Sequence, residues 1–208
     1  MRSIMIAAAL LIVSGTASRA QSQDRMPPIA AAALTEAQKK AIAEFRAARS
    51  ADISGPFIPL LRSPEVMTRA RAMGDYLRFR SVLPPRLSEF VILLTARQWT
   101  QNYEWSAHEP LARQAGLSAA TIAAIAAGRR PDAMAQDEEV LYTLCDELRR
   151  NQSVSDATYA RAVAAFGEQG VIDALGITGY YTLLAMVMNT TRTPLPAGTK
   201  PALAPLPR

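Results

Sequence analysis

One cysteine, Cys145, and one histidine, His108, stand in a chain of 208 residues. A single thiol excludes an intramolecular disulfide and a CxxC redox pair. With one imidazole and one thiol, a zinc site would have to draw its remaining ligands from carboxylates, so no metal is expected. Aromatic residues make up only 6%. The apolar half of the chain is led by Ala, which favours closely packed helices over a sheet. A glycine-rich phosphate loop is missing, because "GITG" at 176–179 lies inside an apolar helical pattern and follows no strand. No nucleophile elbow accompanies the histidine. The formal charge is +5, and removing the segment that carries Arg2 and Arg19 leaves +3. Lys and Arg are interspersed with Asp and Glu and form no basic stripe, so no nucleic-acid partner is expected.

What the chain does have begins with "MRSIMIAAALLIVSGTASRAQSQDR". Arg2 supplies a short positive region, Ile4–Val13 an apolar run, and Ser18 and Ala20 small residues at a cleavage point. Ten apolar residues span about 15 Å as a helix, half of a hydrocarbon core. Residues 1–20 therefore read as a signal peptide, with a periplasmic or secreted mature protein that has no membrane contact after cleavage. Residues 21–34 read as a flexible arm, 35–192 as one all-α domain, and 193–208, "TPLPAGTKPALAPLPR", as an extended Pro-rich tail with little packing.

Within the domain, Thr35 and Gln38 form a capping box ahead of a helix over 36–49. Ser63-Pro64-Glu65 opens a helix from 64 to about Arg80, which "VLPP" ends. "RLSEFVILLTARQWT" reads as an apolar helix over 86–100, because its flanks extend the helical period of "FVILL". Asn102 is placed to cap a helix through about 115, closed by Gly116. Ser118 caps a short helix closed by Gly128, residues 136–150 form a mixed-charge helix, and Ser155 starts another. A long apolar helix over 168–189 carries Gly170, Gly176 and Gly179, read as points of close helix contact. Cys145 falls on an apolar helix side, as a packed small hydrophobe.

Glu104 and His108 are four apart on a predicted helix and share one face. A carboxylate there can hold the imidazole's tautomer and raise its pKa, which is what a general acid/base pair needs. The spacing alone is equally that of a solvated helix face. Trp99, Tyr103 and Trp105 are candidate pocket walls or core residues. Arg80, Arg86 and Arg97 are candidates to grip a carboxylate, or solvated cations.

The block "LPPRLSEFVILLTARQWTQNYEWSAHEPLARQAGLS" and the later "GITGYYTLLAMVMN" resemble the carboxymuconolactone decarboxylase family. The shared features are the Leu-x-Glu helix start, the YEW-x-x-H-x-x-x-A-x-x-AGL segment and the late Gly-Tyr-Tyr helix. The resemblance covers roughly residues 55–196. Its AhpD-like relatives carry Cys-x-x-Cys-x-x-x-His with a glutamate upstream. On this chain those positions fall on Gln101, Glu104 and His108, with Glu89 as the upstream acid. Both thiols are absent, so the resemblance does not extend to thiol peroxidase chemistry.

What the resemblance implies is an AhpD-like helical fold, assembled as a homo-oligomeric trimer or hexamer, that acts without a cofactor on a small carboxylated lactone or related acid. Glu89, Glu104 and His108 are the implied catalytic residues. His108, oriented by Glu104, would deliver a proton, and Glu89 would relay one. A continuous helix would set Glu89 about 22 Å from Glu104, so it joins the site only if the chain bends near Thr100–Asn102. A non-catalytic oligomer with the same fold is the alternative.

Overall fold

The computed structural model describes residues 23–205. Its elements are all helical: α1 (Glu36–Arg49), α2 (Phe57–Leu60), α3 (Pro64–Phe79), α4 (Pro85–Gln98), α5 (Asn102–Gln114), α6 (Ala119–Ala126), α7 (Gln136–Asn151) and α8 (Asp156–Thr191). A short 3-10 turn precedes them at Ala31–Ala33. The helix-over-strand reading of "FVILL" holds. Phe90, Val91, Ile92 and Leu93 are all buried, which gives α4 apolar surface on every side. Accordingly α4 is the central element, in contact with α3, α5, α6, α7 and α8. Each such side chain contributes about 1.5–3 kcal/mol by leaving water.

The start signals act largely as their chemistry dictates. Thr35 and Gln38 close a reciprocal capping box, and Ser118 and Ser155 accept from Thr121 N and Thr158 N. Two caps differ from expectation. The Ser63 side chain makes no cap bond, and α3 starts on the preset φ of Pro64 instead. The cap of α5 is Gln101, whose side chain accepts from Tyr103 N at 2.7 Å. Asn102 is occupied elsewhere. Its amide brackets Leu203, accepting from Leu203 N at 2.8 Å and donating to Leu203 O at 3.4 Å.

That bracket corrects the expectation of a loosely packed tail. The segment after α8 is extended, as its prolines require, but Leu203 is buried and Ala204 O accepts from Arg97 at 2.8 Å. An extended strand without neighbours needs only a side-chain amide and a groove for its leucine to be fixed, and both exist here. The N-terminal arm is likewise tied down. Arg25 N donates to Thr191 O at 2.8 Å, and Arg62 Nη2 donates to Pro27 O at 2.6 Å.

The two C-terminal helices expected from the sequence meet end to end within α8, at a kink where Gly167 leaves the helical backbone (φ 68°, ψ 169°). That conformation is open to glycine and few others. By length and composition α8 is apolar enough to cross a membrane. In this fold its apolar side packs on α2, α3, α4 and α7. Asp173, midway along it, is buried and accepts from the Ser81 hydroxyl (2.8 Å), Val82 N (3.0 Å) and the Tyr76 hydroxyl (3.1 Å), so it ties α8 to the α3–α4 loop. Of the three glycines expected at close contacts, Gly170 and Gly176 are tight, while a Cβ on Gly179 would meet nothing within 4 Å.

Candidate functional site

The bend that Glu89 needs is present. After α4 the chain turns through Thr100, which takes a left-handed φ of 47°. Gln101 N then closes back on Ala96 O at 2.8 Å. This is a helix-ending geometry that glycine usually supplies. A β-branched residue holds it here at a conformational cost of about 1 kcal/mol. The turn folds α5 back along α4. Glu89, in the first half of α4, thereby faces His108 on α5.

His108 Nδ1 lies 2.7 Å from Glu89 Oε2. His108 Nε2 lies 3.6 Å from Glu104 Oε2. The three residues expected from the sequence are therefore together, but with Glu89 and Glu104 exchanged in role. The orienting hydrogen bond comes from Glu89, while the Glu104 separation is longer than a hydrogen bond. The reason is geometric: side chains four apart on one helix run side by side, whereas α4 presents Glu89 end-on to the ring. With Glu89 Oε2 as the acceptor the ring's hydrogen sits on Nδ1, and the Nε2 lone pair of that tautomer is directed at Glu104.

His108 and Glu104 are both 4% exposed. Glu104 Oε1 is buried without a hydrogen-bond partner. Burial holds the Glu104 carboxyl above the usual carboxylate range; His108 and Arg78 pull it down, and Glu89 pushes it up. Tyr181 meets the imidazole edge-to-face at 5.0 Å, and Tyr180 in turn meets the Tyr181 ring edge-to-face at 5.2 Å, forming a rigid aromatic back wall. Burial pushes the Tyr180 phenol up to about 12 and Tyr181 well above its ordinary value, so both remain neutral. The site thus combines one oriented imidazole, one carboxyl biased toward its acid form and one carboxylate, largely shielded from water.

Other candidates are placed elsewhere. Arg86 pairs with Glu138 and with Asp137 (2.6 Å) and bolts α4 to α7. Arg80 is exposed beside the Tyr76 ring. Arg97 is buried among carbonyls on another side of α4. Trp105 is core, Trp99 donates to the Thr182 hydroxyl, and the Tyr103 ring lies against Gly55. Arg78, the cation that does act on Glu104, was not singled out in the sequence. Two residues from Arg80 on a helix is about 200° of rotation, so only one of the pair can face the site. Gly74 was missed as well: it leaves the space that the Tyr180 hydroxyl fills. Neither has a local signal, since their roles arise from α3 packing on α8.

Two hollows lie away from His108, one between α4, α6, α7 and α8 and one beside Met26, Leu60 and Val187. Cys145 lines the first, its thiol pushed up by burial to about 11.

The model of the carboxymuconolactone decarboxylase family matches residues 64–141, which span α3 through the first part of α7 and include Glu89, Glu104 and His108. None of the curated proteins matches the chain. Among solved structures, the chain resembles an uncharacterized peroxidase-related protein from Ralstonia eutropha JMP134 with an alkylhydroperoxidase AhpD core. The TM-score is 0.67 at 18% identity, covering 83% of this chain and 92% of that one. At that identity the likeness speaks for the fold, and the family match supplies the sequence kinship. Residues 64–141 are thus similar to the carboxymuconolactone decarboxylase family, and the chain has an AhpD-like helical fold.

Proposed function

We propose that this protein is a cofactorless acid/base enzyme of the decarboxylase-like type, acting on a small carboxylated lactone or related organic acid. The observation that carries the reading is the buried triad, with His108 Nδ1 held at 2.7 Å by Glu89 and Nε2 left facing Glu104. In such a reaction the bond from carbon to the carboxylate breaks and CO2 leaves. Its electron pair passes into the conjugated carbonyl as a dienolate, and a proton must then reach carbon. Glu104, biased toward its acid form, supplies that proton; as the product leaves, His108 Nε2 takes a proton from entering water, forming an imidazolium that Glu89 stabilises, and passes it to Glu104. Because His108 and Glu104 are sealed from solvent, a substrate reaches them only when a covering side chain moves.

Thiol peroxidase chemistry has less support. The two thiol positions are Gln101, engaged as the α5 cap, and Glu104, while Cys145 lies in a different hollow. The burial of the triad also suits a second reading, a non-catalytic helical oligomer in which the three residues only hold α4 to α5. The N-terminal apolar run supports export to the periplasm, and the family kinship supports a trimer or hexamer. Sequencing the mature N-terminus, expected at Gln21, and sedimentation measure these two points.

The deciding experiment follows CO2 release and lactone absorbance across a panel of small carboxylated lactones. His108→Ala and Glu104→Gln should each lower turnover by about 10²–10⁴-fold with the helical spectrum retained. Turnover unaffected by either variant, or absent in the native protein across the panel, would favour the non-catalytic reading.

A further inference from the structure

We propose that the hollow between α4, α6, α7 and α8 binds a small organic anion with an apolar body. The hollow has a volume of about 440 Å³, room for a ligand of modest size. Leu94, Ile125 and Leu148 give it apolar walls. Its polar lining is unbalanced, with Arg97, Arg129 and Arg149 against Asp146. Arg149 is paired with that aspartate. Among the described residues Arg97 and Arg129 have no carboxylate partner.

Arg97 is the informative member. It is 4% exposed. Nη1 donates to Ala126 O (3.3 Å) and Ala204 O (2.8 Å), and Nη2 to the Thr100 hydroxyl (3.1 Å). All three acceptors are neutral. They satisfy N–H groups, and the carboxyl end of α6 offsets part of the charge, but no anion neutralises the rest. Nε is buried with no partner at all. A buried cation without a counter-ion is costly, and one guanidinium N–H without an acceptor adds to that cost. A carboxylate or a similar monoanion in the hollow would supply the missing counter-charge, with Arg129 at the rim adding attraction. The apolar walls would cover the remainder of the ligand.

This site is independent of the triad, so its test is a binding measurement. Titrate 4-phenylbutyrate and its neutral amide into the full-length mature protein and read the thermal midpoint and the binding heat. Ligands that bind only the native state raise the midpoint. The acid should bind and the amide should bind about tenfold more weakly, the usual worth of a charge-assisted hydrogen bond. Arg97→Gln should remove the preference for the acid. Arg129→Gln, an exposed change that spares the fold, should weaken the acid alone. His108→Ala should leave binding intact. Equal binding of acid and amide, no binding of either at millimolar concentration, or acid binding indifferent to Arg129→Gln would each overturn the proposal.

Discussion

His108 and Glu89 are nineteen residues apart and on different helices, yet Nδ1 and Oε2 meet at 2.7 Å. The contact exists because the chain reverses at Thr100. It makes the tautomer of the ring a consequence of the α4–α5 turn rather than of either helix alone.

Since His108 is the chain's one histidine, its ring can be read without ambiguity by nitrogen NMR. Native protein should show Nδ1 protonated and Nε2 bare in the neutral ring. Glu89→Ala removes the acceptor altogether and should populate the other tautomer, with a drop in turnover. An unchanged tautomer would remove Glu89 from the orienting role.

Glu104 should make stability depend on pH. Its folded pKa is raised above the ordinary value of 4.5. Below that value both states are protonated and the residue contributes nothing against folding. As pH rises from about 4.5 through the folded pKa, the unfolded chain ionises first, the folded state holds more protons, and stability falls. Glu104→Gln cannot ionise. Denaturant titrations should show its stability relative to native protein growing across that window, by on the order of 1 kcal/mol for each pH interval of one within it. A pH-independent difference would argue against a raised pKa.

Gly74 should tolerate no side chain. A Cβ there would sit 2.5 Å from Tyr180 Cζ, and that ring is fixed by Tyr181. Gly74→Ala should cost about 1–3 kcal/mol by overpacking. Gly179→Ala, on an exposed part of α8 with nothing within 4 Å, should gain up to about 1 kcal/mol through helix propensity. Thermal melts of the two variants should move in opposite directions.

The tail should stabilise the body. Leu203 is 3% exposed. Leu203→Ala should cost about 2 kcal/mol, and Asn102→Ala should lose the two bonds that hold its backbone. Both should hasten proteolysis after Thr193. Equal protease resistance in all three proteins would mean that the segment is not held as described.

Much of this was legible residue by residue. Thr35 with Gln38, Ser118 and Ser155 start helices because their oxygens reach an orphan N–H within one turn, and Gly116 and Gly128 end them at positive φ. Those are local interactions, so local sequence determines them. The same holds for α4, whose apolar residues on every side require burial at the centre. Glu104 and His108 share a face by helical period alone.

Where the chain reverses, and what the reversal brings together, belongs to tertiary structure. Asn102 has the chemistry of a cap and instead holds Leu203, because hydrogen-bond partners are chosen among all groups in reach. Arg78 and Tyr181 enter the site from α3 and α8 with no motif to announce them. Glu104 carries the same carboxyl as any surface glutamate. Only its removal from water by the surrounding helices raises its pKa, because desolvation is a property of the packed whole.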